Sequence, residues 1–168
     1  MGETKESNLG LLERLKNSIP HEWILSLKAP EPRRVFLSVK REHFKEAMTK
    51  ILKDEAITHL STITGVDLGE EIEVIYHLDR SGIILSVKTT TPKSQPILPT
   101  VTDLIPGAPL YEREVHELLG VTFDGHPGLS RLVLPEGWPP GLYPLRKEIS
   151  IENIRSALEK AKEEKKVG

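Results

Sequence analysis

Prolines and glycines crowd the stretch between Gly120 and Lys147. Proline fixes φ and lacks a backbone N–H donor, and glycine has no side chain to pack, so this stretch is not expected to be buried as a helix or within a sheet. It is also too apolar for a solvated linker, because it contains Leu129, Leu132, Val133, Leu134, Trp138, Leu142 and Leu145. An extended arm over residues 121–148, loosely held or mobile in isolation, that completes its folding on another protein satisfies both observations.

The remaining sequence predicts an α+β core. Alternating apolar residues indicate strands over 35–39, 74–78 and 83–87, and β-branched residues indicate a strand over 57–66. A turn at 79–82 makes the strands 74–78 and 83–87 a hairpin. Helical spacing of apolar residues, with Pro109 and Ser150 as start signals and Gly120 as a stop, predicts the helices. These helices cover residues 11–19, 44–52, 109–119 and 151–165.

The expected architecture has two layers, a mostly antiparallel sheet packed by helices, followed by the extended Pro/Gly-rich arm and a short C-terminal helix. A chain of 168 residues is long enough for one domain with a real core. We therefore place the core domain at residues 1–120, and the arm with the C-terminal helix at residues 121–168.

Composition excludes several classes of function. A formal net charge of −2 disfavours a nucleic-acid partner. The chain has no cysteine, so it cannot hold a thiolate-ligated iron–sulfur cluster, and its six histidines lack the spacing of metal ligands. We predict no cofactor and no metal. No apolar run is long enough to span a membrane and the N-terminus lacks a signal-peptide pattern, so we expect a cytoplasmic protein that reaches a membrane only through other chains.

The arm and the helix before it also carry a series of distinctive motifs. They are Tyr111-Glu112-Arg113-Glu114, Leu118-Leu119-Gly120-Val121, Phe123-Asp124-Gly125-His126-Pro127, Arg131-Leu132-Val133-Leu134-Pro135, Trp138 and Pro144-Leu145-Arg146-Lys147. In these motifs the chain resembles the thirty-kilodalton subunit of respiratory complex I and its relatives in membrane-bound nickel–iron hydrogenases. The resemblance covers roughly residues 57–148.

Two departures from the complex I pattern favour one branch of this family. His116 and Glu117 stand where complex I members usually carry an aromatic residue and an aspartate. Where those members read Gly-His-Pro-Leu-Arg-Lys, this chain reads Gly141-Leu142-Tyr143-Pro144-Leu145-Arg146-Lys147, at a slightly longer spacing from Trp138. The chain is in this respect more similar to the hydrogenase and sulfur-reducing branch. It ends soon after the last motif, so we expect a free-standing subunit rather than one fused to the large subunit.

The resemblance implies a non-catalytic assembly subunit, part of the electron-transport machinery of a membrane-bound oxidoreductase. Its partners would be the hydrogenase-like large subunit and the cluster-bearing small subunit, with the complex on the cytoplasmic face of the cell membrane. The implied partner-binding residues are Tyr111, Glu112, Arg113, Glu114, His126, Arg131, Leu134, Trp138, Arg146 and Lys147. For Arg131, Arg146 and Lys147, position beside apolar anchors also favours ion pairs with a partner.

Three alternatives stay open. The first is a subunit of an NADH- or quinone-type dehydrogenase. The second is a stand-alone hydrolase using Glu112, Glu114 and His116, although helical spacing points Glu112 and Glu114 to different faces. We expect instead ion pairs of Glu112 with His116 and of Arg113 with Glu117. The third is a general peptide-binding module that offers a sheet edge.

Overall fold

A computed structural model describes residues 8–55, 57 and 59–167. Within these residues, the α-helices and strands follow one another in the order α1 (Asn8–Ser18), β1 (Ile24–Glu31), β2 (Arg34–Val39), α2 (Phe44–Asp54), β3 (His59–Asp67), β4 (Glu71–Arg80), β5 (Ile83–Pro92), β6 (Ile97–Pro99), α3 (Ala108–Leu119), β7 (Thr122–Asp124) and α4 (Ile151–Val167). Short 3-10 turns at His21–Trp23 and Arg41–His43 precede β1 and α2.

The main sheet has five strands in the order β1-β2-β5-β4-β3. Its pairs are antiparallel except for β2 and β5, which run parallel. The α+β fold and the mostly antiparallel sheet predicted from the sequence are therefore confirmed.

The hairpin of β4 and β5 lies at the centre of the sheet. Ser81 and Gly82 both adopt positive φ, 49° and 80°, which suits a tight turn between twisted strands. Alternation then sends one set of side chains to the core, so that Tyr76 and Leu78 are fully buried, while His77 lies on the opposite face beside Ser86. The predicted hairpin is thus present.

The core lies between this sheet and the helices. Leu11 and Leu15 of α1 and Phe44 and Met48 of α2 are fully buried. The Phe44 ring lies 5.0 Å from the ring of Tyr76, which joins α2 to the middle of the sheet. These residues are the apolar stripes that predicted the helices, and burial of such stripes is what stabilises short helices.

A buried carboxylate links three elements at one end of the core. Glu55, which directly follows α2, is 1% exposed and lies 3.0 Å from Arg14 Nε and 2.6 Å from Arg80 Nη1. A charge buried this completely is tolerated because it is paired. The ion pairs connect α1, the end of α2 and the end of β4.

A second, two-stranded sheet holds α3 in place. β6 and β7 pair in parallel, with Leu98 opposite Phe123, and α3 connects them. Val121 and Phe123 are 0% and 1% exposed and belong to the main core. Residues 121–124, which the sequence assigned to the arm, are therefore packed with residues 1–120. The sequence did not predict this strand, because a strand of three residues is too short to show a periodic pattern.

The C-terminal helix begins as predicted. The backbone N–H of Asn153 donates to Ser150 Oγ at 3.2 Å, and the Ser150 N–H donates to Asn153 Oδ1 at 2.9 Å. This reciprocal pair satisfies two donors that a helix N-terminus otherwise leaves without partners. Across the described residues, no helix is both long enough and apolar enough to cross a membrane.

Candidate partner interface on α3 and the arm

The arm starts at the C-terminal end of α3. Gly120 ends this helix in the left-handed region, at φ 80°, and its N–H donates to His116 O at 2.8 Å. Arg146 returns from the far end of the arm and donates from Nε to Leu119 O at 2.8 Å, with its guanidinium 4.5 Å from the Tyr143 ring. The predicted glycine cap is confirmed, and a cation at a helix C-terminus is favourable for the helix dipole.

Glu112 lies inside the core, which corrects the predicted surface ion pair with His116. It is 0% exposed and accepts hydrogen bonds from Val101 N at 2.9 Å, Thr100 Oγ1 at 2.5 Å and Tyr76 OH at 3.3 Å. Burial raises the pKa of Glu112 above its ordinary value, although these three donors act against it. Glu112 therefore holds α3 against β4 and against the two residues that follow β6.

Glu117 is the main attachment point of the arm on α3. Its carboxylate accepts the backbone N–H groups of three consecutive residues, Leu132 at 3.0 Å, Val133 at 2.6 Å and Leu134 at 3.1 Å. The predicted ion pair with Arg113 is absent from the described contacts. Arg113 instead donates to the carbonyls of Ser130 and Arg131, at 2.8 and 2.6 Å. One turn of α3 thus binds the arm backbone through both a donor and an acceptor side chain.

Two further side chains shape the loop beyond this point. Arg131 donates to the carbonyls of Pro135, at 3.1 Å, and Trp138, at 2.9 Å, and Trp138 Nε1 donates to Leu142 O at 2.8 Å. The loop and α3 enclose an open cavity of about 260 Å³ lined by His116, Glu117, Arg131, Trp138 and Tyr143 among others. The Arg131 guanidinium, which the sequence assigned to a partner carboxylate, therefore donates to the arm backbone and lies 4.0 Å from the Glu117 carboxylate.

Asp67, at the end of β3, holds the other end of the arm. Its carboxylate accepts Lys147 N at 2.9 Å, Lys93 Nζ at 2.6 Å and Gly69 N at 2.7 Å, and Lys93 also pairs with Glu148. Burial would raise the pKa of Asp67, but these donors outweigh it and hold the pKa at about 2. The sequence did not single out Asp67 as a site residue, since it lies eighty positions from Lys147.

His126 and Tyr111 also make contacts within the chain. Gly128 N donates to His126 Nδ1 at 2.9 Å, so the opposite ring nitrogen, Nε2, donates to Pro109 O at 3.2 Å. Tyr111 OH donates to Ser61 O at 3.2 Å. His126 thus connects the arm to the first turn of α3, and Tyr111, which belongs to α3, connects that helix to β3.

The side chains left accessible form what we call the arm surface: Leu132, Val133 and Leu145 on the arm, with Glu114 of α3. Leu132 is 42% exposed, and Val133 and Leu145 are each 56% exposed. Glu114 and Leu145 share a groove of about 180 Å³ with the β3 segment 62–65. Of the other predicted interface residues, Leu134 and Trp138 are half-buried in the arm loop, and the Lys147 side chain is exposed.

The geometry does not assemble a hydrolytic site. Glu112 is enclosed in the core, Glu114 faces the β3 groove, and His116 binds Val121 O through Nδ1 at 2.8 Å, so the three side chains do not meet in one pocket. Within the described ranges, no group of three or more histidines and carboxylates is placed to hold a metal ion.

The fold and the motif region together define the class of protein. Residues 37–155 match the family of the respiratory-chain NADH dehydrogenase 30 kDa subunit, and the chain belongs to this family. The resemblance inferred from the motifs is thereby confirmed. The chain is an oxidoreductase-complex subunit of the complex I or membrane-bound hydrogenase type.

Particular relatives come from both branches of the family. The membrane-bound hydrogenase subunit beta of Pyrococcus furiosus is 34% identical over 132 residues, which are 74% of this chain and 76% of that protein. An NADH-quinone oxidoreductase subunit of Phocaeicola vulgatus is 38% identical over 117 residues, which are 67% of this chain but 22% of that protein. The chain thus matches about a fifth of the length of this second relative.

A solved structure supports the same grouping. In the membrane-bound sulfane sulfur reductase, described as an archaeal respiratory membrane complex, one chain superposes with a TM-score of 0.72 at 27% identity. The match covers 90% of this chain and 89% of that one.

Proposed function

We propose that this chain is a non-catalytic assembly subunit of a membrane-bound oxidoreductase complex of the hydrogenase or sulfur-reducing type, and that the arm surface docks on the large catalytic subunit. The cluster-bearing small subunit would be the second partner. The complex would hold the chain on the cytoplasmic face of the cell membrane without any direct membrane contact by the chain itself.

The observation that carries the proposal is an ordered arm with exposed apolar side chains. Leu132, Val133 and Leu145 are more than two-fifths exposed although the backbone around them is hydrogen-bonded to α3. Large apolar side chains held in place but left uncovered are typical of a surface that another protein covers. Full burial of each would contribute roughly 1.5–3 kcal/mol before the costs of association are subtracted.

The names of the relatives support the hydrogenase or sulfur-reducing type. The Pyrococcus furiosus relative is a membrane-bound hydrogenase subunit, and the superposed chain belongs to a sulfur reductase complex. The Phocaeicola vulgatus relative is instead an NADH-quinone oxidoreductase subunit. The experiment must therefore identify the partners as well as detect them.

The test is to tag the chain in its native host, solubilise the membranes in a mild detergent and measure the mass and composition of what co-purifies. We expect a multi-subunit complex that contains a hydrogenase-like large subunit and a cluster-bearing small subunit. The double variant Val133→Asp, Leu145→Asp should lose the complex while keeping the melting temperature of the isolated chain. The matched control is Leu9→Asp, which places a carboxylate on α1, where Leu9 is 72% exposed.

Recovery of the chain alone from intact membranes would contradict the proposal. Recovery of an NADH-oxidising partner set would contradict the assignment to the hydrogenase or sulfur-reducing type. Equal loss of the complex in the Leu9→Asp variant would contradict the placement of the interface on the arm surface.

A further inference from the structure

Two carboxylates of the core domain hold the arm, one near its middle and one near its C-terminal end. Glu117 accepts the N–H groups of residues 132–134, and Asp67 accepts the N–H of Lys147 together with Lys93 Nζ and Gly69 N. Both carboxylates belong to the core domain, Glu117 to α3 and Asp67 to β3, and both are less than a tenth exposed. The chain between these two attachment points is rich in proline and glycine, which disfavours helix or sheet hydrogen bonds within it.

We infer that Glu117 and Asp67 are positioning residues that hold the arm in its partner-binding shape before any partner is present. A segment rich in proline and glycine cannot satisfy its backbone through a ladder, so its N–H groups need other acceptors. An ionised carboxylate is the strongest acceptor that the side chains offer, and each of these two accepts three donors. The arm is thus ordered by side chains of the core rather than by its own secondary structure.

Other contacts between the arm and α3 support the same inference. Leu145 N donates to Leu118 O at 3.1 Å, Arg146 donates to Leu119 O, and Arg113 donates to the carbonyls of residues 130 and 131. These contacts all end on α3, so the arm follows the last two turns of one helix. A partner would therefore meet a preformed surface and would not have to order the arm when it binds.

The order of the free arm is a property of this chain alone, whereas its benefit for binding rests on the function proposed above. Preorganisation predicts that loosening the arm weakens association without removing any side chain that faces the partner. Glu117→Gln is the variant that should loosen the arm in this way. The glutamine amide offers one acceptor oxygen where the carboxylate offers two, and the NH2 group of the glutamine would face a backbone donor.

The experiment is amide hydrogen exchange on the free full-length chain, followed residue by residue. In the parent, the amides of residues 132–134 and of Lys147 should be protected. In Glu117→Gln, exchange at residues 132–134 should accelerate by about tenfold or more, as expected for loss of a charged hydrogen-bond acceptor, while the amides of β4 and β5 stay as in the parent. The matched control is Glu136→Gln, an exposed carboxylate within the arm, which should change neither group of amides.

The second variant is Asp67→Asn, which should accelerate exchange at Lys147 and not at residues 132–134. Exchange of residues 132–134 and Lys147 at the rate of an unstructured chain in the parent would overturn the inference. Unchanged exchange in both variants, or uniform acceleration that includes β4 and β5, would also overturn it, because the carboxylates would then not act on the arm in particular.

The same proteins separate this inference from the proposed function. A protected arm in a chain that recovers no partner subunits would leave the positioning role intact and refute the assembly role. A complex that forms equally well with parent and Glu117→Gln, despite faster exchange in the variant, would show that preorganisation makes no contribution to binding.

Discussion

A Cβ atom on Gly120 would lie 2.7 Å from Nη2 of Arg146 and 2.6 Å from the Tyr143 ring. The residue that ends α3 is therefore also the residue against which Tyr143 and Arg146 of the arm pack. Gly120→Ala should destabilise the chain through both its positive φ and this clash, by roughly 1–3 kcal/mol. Urea unfolding of the parent and of Gly120→Ala measures this difference in the free energy of unfolding.

Gly141→Ala is the control for that variant. Gly141 also has positive φ, 77°, but nothing lies within 4 Å of the added methyl group. Its cost should reflect backbone strain alone and should be the smaller of the two. Equal costs would mean that Tyr143 and Arg146 move aside freely and do not pack on Gly120.

Gly65 permits the close approach of α3 to β3. An added Cβ would lie 2.3 Å from Leu119 Cδ1 and 3.1 Å from Val115 Cγ1, both in the core. Gly65→Ala should cost about 1–3 kcal/mol in free energy of unfolding, as expected for overpacking. Gly107→Ala, where the methyl group meets nothing within 4 Å and φ is −82°, should cost far less. A Gly65→Ala variant as stable as the Gly107→Ala variant would show that α3 can shift at no cost.

The buried carboxyl of Glu112 should make stability fall as pH rises. Burial raises its pKa in the folded state above the ordinary value of 4.5. Its contribution is then complete below pH 4.5 and is lost as pH rises through the folded-state pKa, because the unfolded chain releases its proton first. Glu112→Gln keeps an acceptor for Val101 N and carries no charge, so it should gain stability relative to the parent as pH rises above 4.5.

Denaturant unfolding of the parent and of Glu112→Gln at several pH values checks the predicted pH dependence of their stability difference. Glu114→Gln, an exposed change on the same helix, should stay within about 0.5 kcal/mol of the parent. A constant difference between the parent and Glu112→Gln at every pH would show that Glu112 does not titrate with folding.

Asp67 should act with the opposite sign. Its pKa is about 2 in the folded chain against an ordinary value of 3.8. Its contribution is therefore present above pH 3.8 and is lost as pH falls toward 2. Asp67→Asn should be less stable than the parent at neutral pH, and the two should converge in acid, whereas the exposed change Asp124→Asn should follow the parent throughout. Thermal unfolding between pH 2 and pH 6 would reveal a failure to converge.

The sequence predicted those elements that carry a periodic signal. The hairpin of β4 and β5, the amphipathic α2 and the glycine end of α3 follow from alternation, helical spacing and a single glycine. β1 gave no such signal, because it is an edge strand that contains Pro30 and buries none of its residues fully. β6 and β7 are three residues each, too short for any pattern.

The site was predicted only in part, for a different reason. The motifs located the arm and its apolar side chains, but they did not predict which groups the polar side chains bind. Glu112 was expected to pair with His116, because carboxylates are seldom buried. Glu117 was expected to pair with Arg113, whereas Arg131 Nε lies 4.0 Å from its carboxylate and its closer partners are three backbone N–H groups. Contacts between a side chain and a distant backbone N–H, such as Asp67 with Lys147, depend on the tertiary fold and leave no local trace.

The parallel register of β2 on β5, with Arg34 opposite Ile84, constrains how the chain can fold. The two partners lie about fifty residues apart, so their pairing closes a long loop, whereas β4 and β5 meet across a two-residue turn. Local pairs form before distant ones because they lose less chain entropy. The sheet should therefore grow outward from the central hairpin, with β1 and β2 joining it late as a ready-made pair.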